Sequence, residues 1–241
     1  MVSKSGPEAD ADESVGSDVG VESVSPFADV DFNLAIDLLA PTIEQSGRRL
    51  TPRQRRRLTS LLRATLEELD ARGYEGFGMR DLAPTGVATA TIYRFFESRE
   101  FLIFRATGAW FDWTAQRSLP PSGHGDFRSS SIYQFEHLTS HWAAHPHLVE
   151  AWVRASSSDD ALVRRLQRTP ALSPLAAADW AGMAEFDSDY AERLRSMIQV
   201  HAIGGMVQWV HGVRSLEELR DDFDSLLSLV FDPVLLSGET S

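Results

Sequence analysis

From Thr51 to Gly73 the leucines keep helical time. Leu58, Leu61, Leu62, Thr65, Leu66 and Leu69 recur at steps of three and four, which puts them on one face of a helix. Thr51 suits the cap, Pro52 the first turn and Gly73 the exit. "YEGFGMRDLAPTG" then predicts a turn and a very short helix from Met79 to about Ala83. "VATATIYRFF" predicts a second short helix, and Ser98 caps a longer one, "REFLIFRATGAWFDWTAQRS", running to about Ser118. "LPPSGHGDFRSSS" reads as a loop from its Pro, Gly and Ser content. Further helices are expected near 129–144, 146–156, 158–168, 172–185, 188–212 and 215–231, with Pro146, Pro170 and Pro174 at breaks or first turns. The last carries the clearest apolar stripe: Leu216, Leu219, Phe223, Leu226, Leu227 and Val230. There is no strand alternation of useful length and no internal repeat. The expected fold class is all-α.

Residues 1–26 are Ser, Gly, Asp and Glu with few large apolar side chains, a composition that predicts disorder. "FADVDFNLAIDLLAPTI" (27–43) is more apolar and is compatible with a short helix ending before Pro41. The formal net charge of -12 is unevenly spread. Residues 1–47 carry one basic and ten acidic side chains, residues 48–105 twelve and seven, and residues 106–241 ten and eighteen. One positive island therefore lies between two acidic regions, the footprint expected of a phosphate-binding module. Arg53, Arg55, Arg56 and Arg57 crowd the first turns of the leucine helix, where they oppose its dipole. An external anion accounts for them better than helix stability does.

Composition removes several classes. Cysteine is absent, which excludes disulfides, thiolate metal sites and a Cys nucleophile. No apolar run approaches the ~20 residues needed to cross a bilayer, and the first twenty residues lack the apolar core of a signal peptide. A cytoplasmic protein is expected.

Two short helices joined by a Gly-containing turn, with a long helix before and after, describe a helix-turn-helix. Its second helix must enter a major groove about 12 Å wide. Ala88, Thr89, Ala90 and Thr91 are small enough to let the backbone approach base edges and thymine methyls. Ile92, Phe95 and Phe96 suit the inward mount, and Tyr93 and Arg94 suit phosphates, which set register rather than sequence.

The run "ARGYEGFGMRDLA…GVATATIYRFFESREFLI" resembles the signature of the tetracycline-repressor (TetR) family. The resemblance makes Gly73-Tyr74 the end of helix 1, Arg80 to Ala83 helix 2, Gly86-Val87 the turn, Thr91 to Phe96 the recognition helix, and Ser98 to Glu100 the start of helix 4. It implies a homodimeric, all-helical, ligand-responsive transcription regulator. Thr89, Ala90 and Thr91 would face bases; Arg80, Tyr93, Arg94 and Arg99 would face phosphates. The family usually places three residues between the Ala of helix 2 and the turn Gly, whereas this chain has only Pro84 and Thr85, and residue 78 is Gly. "HPHLVEAWVRA" and "MVQWVHGVRSLEELRDDFDSLLSLV" are diffusely similar to regulators of steroid and fatty-acid breakdown in that family, which implies an acyl-CoA or sterol-like effector.

The expected domains are an acidic, mostly disordered extension (1–47), a DNA-binding helix-turn-helix (48–97) and a helical ligand-binding and dimerisation domain (98–236). In the last, Trp110, Trp113, Phe135, Trp142, Trp152, Trp180, Met183, Met206 and Trp209 are candidate linings of an apolar pocket, with Arg154 or His201 available for a polar end; plain core packing is the alternative for each. Gly204-Gly205 lowers helix propensity and so suggests a close approach of backbone or ligand. By the family's pattern these glycines and the stripe Leu219, Phe223, Leu226 and Val230 form a dimer seam. His137, His141 and His145 share a helix face but extend about 12 Å, too far to share one ion. No metal or other cofactor is expected.

HExxH, a Gly-rich phosphate loop and GxSxG are all missing, so an enzyme is not expected. The leading reading is a dimeric regulator, a repressor released by a hydrophobic small molecule, with double-stranded operator DNA, a second copy and that effector as partners and no membrane. The alternative is an effector-binding or interaction protein on the same fold, its operator binding impaired by the shortened, Pro84-containing motif.

Overall fold

The computed structural model describes residues 24–37, 50–167, 183 and 186–231. Its regular elements are α1 (Asn33–Asp37), α2 (Pro52–Gly76), a 3₁₀ segment (Met79–Thr85), α3 (Thr89–Phe95), α4 (Arg99–Arg117), α5 (Phe127–Ala144), α6 (Pro146–Ser156), α7 (Ala161–Gln167), α8 (Ser188–Val210) and α9 (Leu216–Phe231). No strand occurs among the described residues. The fold is all-α, as the periodicity predicts.

Local chemistry sets the boundaries. Thr51 accepts a hydrogen bond from the backbone of Gln54, whose side chain accepts from Thr51 N–H, a reciprocal cap that starts α2. Gly73 adopts φ 69°, a break after which α2 runs one more turn. α5 begins at Phe127 rather than 129 because Asp126 accepts from Ser129 N–H at 2.8 Å. Similarly, α7 starts at Ala161 rather than 158, where Asp160 accepts from Leu162 and Val163 N–H, each at 2.9 Å. The helix expected over 172–185 lies outside the described residues except for Met183.

The leucine face of α2 is buried: Leu61, Leu62, Leu66 and Leu69 are wholly enclosed. α2 packs on α4 and α6, α4 on α6, α6 on α8, and α9 on α5. α4 therefore runs from the small N-terminal domain into the centre of the larger one. Trp110, Phe111 and Trp142 form its aromatic middle, with Phe111 edge-on to Trp142 at 6.3 Å and to Trp152 at 5.4 Å.

Residues 25–37 belong to this core, and α1 falls within the stretch 27–43 that was compatible with a short helix; residues 1–23 and 38–47 lie outside the described ones. Phe27, Val30, Phe32, Ala35 and Ile36 are buried, and α1 packs against both α2 and α4. Three arginines from those helices tie the strap down. Arg63 donates to the carbonyls of Phe27 (3.3 Å) and Ala28 (2.9 Å). Arg105 donates to those of Leu34 (3.3 Å) and Ala35 (2.8 Å), and Arg55 pairs with Asp37. Phe27 also meets the His145 ring at 5.2 Å, and His145 Nδ1 lies 3.0 Å from Asp70. The strap thus touches both domains.

Candidate nucleic-acid interface and effector cavity

The reading head is built from the end of α2 onward. Asp81 accepts from Gly78 N–H at 2.7 Å and pairs with Arg72 at 3.2 Å, which fixes the entry to the 3₁₀ segment. Met79 and Leu82 are buried beneath it, whereas Arg80 is exposed. Pro84, which lacks an N–H, lies in its last turn. The segment closes at Gly86, whose φ of 70° is left-handed and whose N–H donates to the Ala83 carbonyl. Tighter 3₁₀ winding and this glycine absorb the residue missing between Ala83 and the turn. α3 follows, with Ile92 and Phe96 wholly buried.

That mount leaves the other face of α3 in the open. Ala88, Thr89 and Ala90 are exposed, Thr91 is half-buried, Tyr93 is 50% exposed and Arg94 is exposed over the Phe95 ring at 5.2 Å. Arg80 and Arg94, and Arg53, Arg56 and Arg57 in the first turns of α2, form no ion pair with another described residue. Arg55 is half-buried and taken by Asp37.

Arg99 departs from its expected phosphate role. Its Nε donates to the Phe77 carbonyl at 3.0 Å, one terminal nitrogen donates to the Tyr74 carbonyl, and the other pairs with Glu100 at 3.1 Å. The guanidinium lies 4.1 Å from the Tyr74 ring centroid. Its donors close the C-terminal end of α2, where carbonyls lack helical partners, so it braces the head instead of reaching outward.

In the larger domain a cavity of about 290 Å³ opens between α4, α6, α7 and α8. Its lining is Phe104, Trp152, Val153, Ser156, Ser157, Gln167, Ile203 and Val207. Of the expected pocket residues only Trp152 is among them. Trp110, Trp142 and Met206 are wholly buried core, and Met183 is buried. Phe135 stacks on Phe223 at 4.1 Å. Trp113 lies half-buried between His141 and Arg117, and Trp209 is half-buried against the core. Trp180 lies outside the described residues. His201 stands beside Phe223, and burial, aided by Arg214, holds its imidazole below its ordinary pKa. Arg154 pairs with Glu75 and Glu150 outside the cavity. The aromatic composition of this domain signalled a large core; the lining residues Phe104, Ile203 and Val207 had no pattern to set them apart from it.

The predicted dimer stripe also needs correction. Leu219 and Phe223 are 2% and 1% exposed within their own chain. A side chain at Gly205 would meet Leu219 at 2.9 Å, so the close approach there is between α8 and α9 of one chain. Leu226 and Val230 are half-buried, and only Gly204 stands fully open. The strongest apolar stripe serves the interior. Outward apolar side chains on these two helices are Tyr190, Met197, Val200 and Leu229.

The comparisons with known proteins come down on the same side as the geometry. Residues 61–106 match the family model for bacterial regulatory proteins, tetR family. The matched stretch contains the helix-turn-helix of the N-terminal head. A TetR transcriptional regulator from Rhodococcus sp. RHA1 superposes with a TM-score of 0.62 at 20% identity, covering 75% of this chain and 98% of that one. That likeness extends the TetR-like fold to the larger domain. A tetR-family candidate from Shewanella sp. PV-4 is looser, with a TM-score of 0.44 at 17% identity over 70% of this chain and 95% of that one. No curated protein matches the chain. Among the described residues no helix is long and apolar enough to cross a membrane.

Proposed function

We propose that this TetR-fold chain is a dimeric, ligand-responsive DNA-binding regulator that acts as a repressor. The observation that carries the reading is the outward face of α3. Small side chains at Ala88, Thr89 and Ala90 lie open beside Tyr93 and Arg94, on a helix mounted by buried Ile92 and Phe96. Backbone contact at Thr89 to Thr91 reads bases, while Arg80, Tyr93 and Arg94 hold phosphates. Pro84 does not disable the motif, because its 3₁₀ turn keeps α3 exposed.

The second copy joins through the outward face of α8 and α9. Tyr190, Met197, Val200 and Gly204 lie at helical spacing on one side of α8, with Leu229 on α9. A hydrophobic effector in the α4–α6–α8 cavity then biases the separation of the two heads, to the extent that it binds the two shapes unequally. The family resemblance makes that effector acyl-CoA or sterol-like.

A gel shift with the duplex upstream of the coding sequence tests the regulator reading. The shift is expected at low salt and should weaken steeply as salt rises, because bound counterions are released. Absence of any shift at low salt overturns it and leaves an effector-binding protein on the same fold.

A further inference from the structure

The larger domain grips the reading head at the C-terminal end of α2. Gly73 breaks that helix at φ 69°, and carbonyls in the turn before such a break lack helical partners. His147, near the start of α6, lays its ring beside Gly73, where a Cβ would stand 3.8 Å from Cγ and Cδ2. Its Nδ1 lies 2.7 Å from the Asp70 carbonyl. A carbonyl only accepts, so the imidazole carries its proton on Nδ1 and supplies a donor to that turn. His145, at the corner between α5 and α6, reaches the Asp70 carboxylate at 3.0 Å. The "HPH" run of the sequence therefore closes the end of a helix in the other domain.

Beyond the break the last turn of α2 carries Tyr74 and Glu75, and two guanidiniums meet there. Arg154 of α6 pairs with Glu75 at 2.7 Å and lies 5.3 Å from the Tyr74 ring centroid. Glu150, one turn earlier on α6, holds the same guanidinium at 2.8 Å. Arg99, at the start of α4, lies 4.1 Å from the Tyr74 centroid and donates to the Tyr74 carbonyl. The Tyr74 hydroxyl and Arg99 also share Glu100, at 3.3 and 3.1 Å. Contacts thus run without a gap from α6, through Tyr74, to the arginine that braces the head just after α3. An exposed pair such as Arg154–Glu75 is weak alone, so the grip lies in the set: ion pair, ring contact and the His147 bond together.

We propose that His147 and Arg154, which belong to the core domain, are positioning residues that fix the angle of the reading head and thereby determine which spacing of operator half-sites the two heads accept. A head held at one angle meets half-sites at one separation. A loosened head meets several, at lower affinity. This deepens the regulator reading above and rests on it for the half-site consequence.

The test needs no effector. The chain has no cysteine, so Glu97→Cys on the head and Glu136→Cys on α5, both exposed, take two spin labels. Labelled chain diluted into unlabelled chain then gives the head-to-core distance by pulsed EPR. His147→Phe keeps a ring beside Gly73 but removes the Nδ1 donor, and Arg154→Ala removes the guanidinium. The two together should broaden the distance distribution, with thermal melts verifying that the chain is folded. Arg154→Glu should broaden it too, and adding Glu75→Arg should narrow it again, a rescue that general destabilisation would not show. In gel shifts with the upstream duplex, base pairs inserted at the centre of the footprint should cost the parent about tenfold in affinity and the His147→Phe/Arg154→Ala chain only about twofold. That variant should bind the uninterrupted duplex about tenfold more weakly with an unchanged salt slope, since no phosphate contact is lost. An unchanged distribution in the folded variant, or a charge swap without rescue, overturns the proposal. A broadened distribution with the spacing penalty intact sinks the half-site role. Absence of any shift at low salt removes the regulator reading and the half-site role with it, while the distances still decide the grip.

Discussion

Arg94 and Arg99 stand five residues apart and have opposite surroundings. Arg94 is exposed, whereas Arg99 spends its donors on Tyr74, Phe77 and Glu100. Replacing Arg94 or Arg80 by Ala should reduce the slope of log affinity against log salt by about one. Arg99→Ala should leave that slope unchanged and lower the melting temperature, because α2 loses its terminal brace. Measuring slope and melting temperature on all three variants separates the roles. Deeper in the chain, burial pushes Asp112 up to about 6, with Arg105 opposing the rise, and burial brings Arg105 down to about 10. A carboxyl whose folded pKa lies above its ordinary value favours the fold when protonated. That contribution is present below about pH 3.8 and is lost as pH rises to about 6. Asp112→Asn should therefore flatten the pH dependence of the urea midpoint across that window.

Among the elements, the long amphipathic helices were the legible part. α2, α5, α6, α8 and α9 follow from apolar spacing and capping residues, because a helix that buries one face must repeat near 3.6. The misreadings share a physical cause. Apolar periodicity says that a face is covered but not by what, so Leu219 and Phe223 looked like a seam and prove to be core. Trp110 and Trp142 looked like pocket lining for the same reason. The α3 edge was legible because small, exposed side chains beside charge have no packing explanation. The cavity was not, since Phe104, Ile203 and Val207 meet only in three dimensions. At the turn, Gly86 has φ 70° and open space where a Cβ would sit, so Gly86→Ala tests conformation alone. It should cost about 1 kcal/mol in urea unfolding, while the length of the 3₁₀ segment is unaltered.

At the level of the whole molecule, two surfaces decide the assembly. If the outward face of α8 and α9 joins two copies, Val200→Arg or Leu229→Asp should give a folded monomer in analytical ultracentrifugation. The gel-shift affinity should fall with it, since one head then binds without the other. Substitution of Leu219 should instead lower stability, as its contacts are internal. The strap has a different consequence. Phe32 is 2% exposed, so Phe32→Ala should cost about 3–5 kcal/mol by chemical denaturation. In ribosomal synthesis residues 25–37 emerge before their anchors Arg63, Arg105 and His145. The strap must wait for those anchors before it can dock. A shortened version beginning at residue 48, the expected start of the DNA-binding domain, would leave an open greasy furrow along α2 and α4 and should clump when expressed.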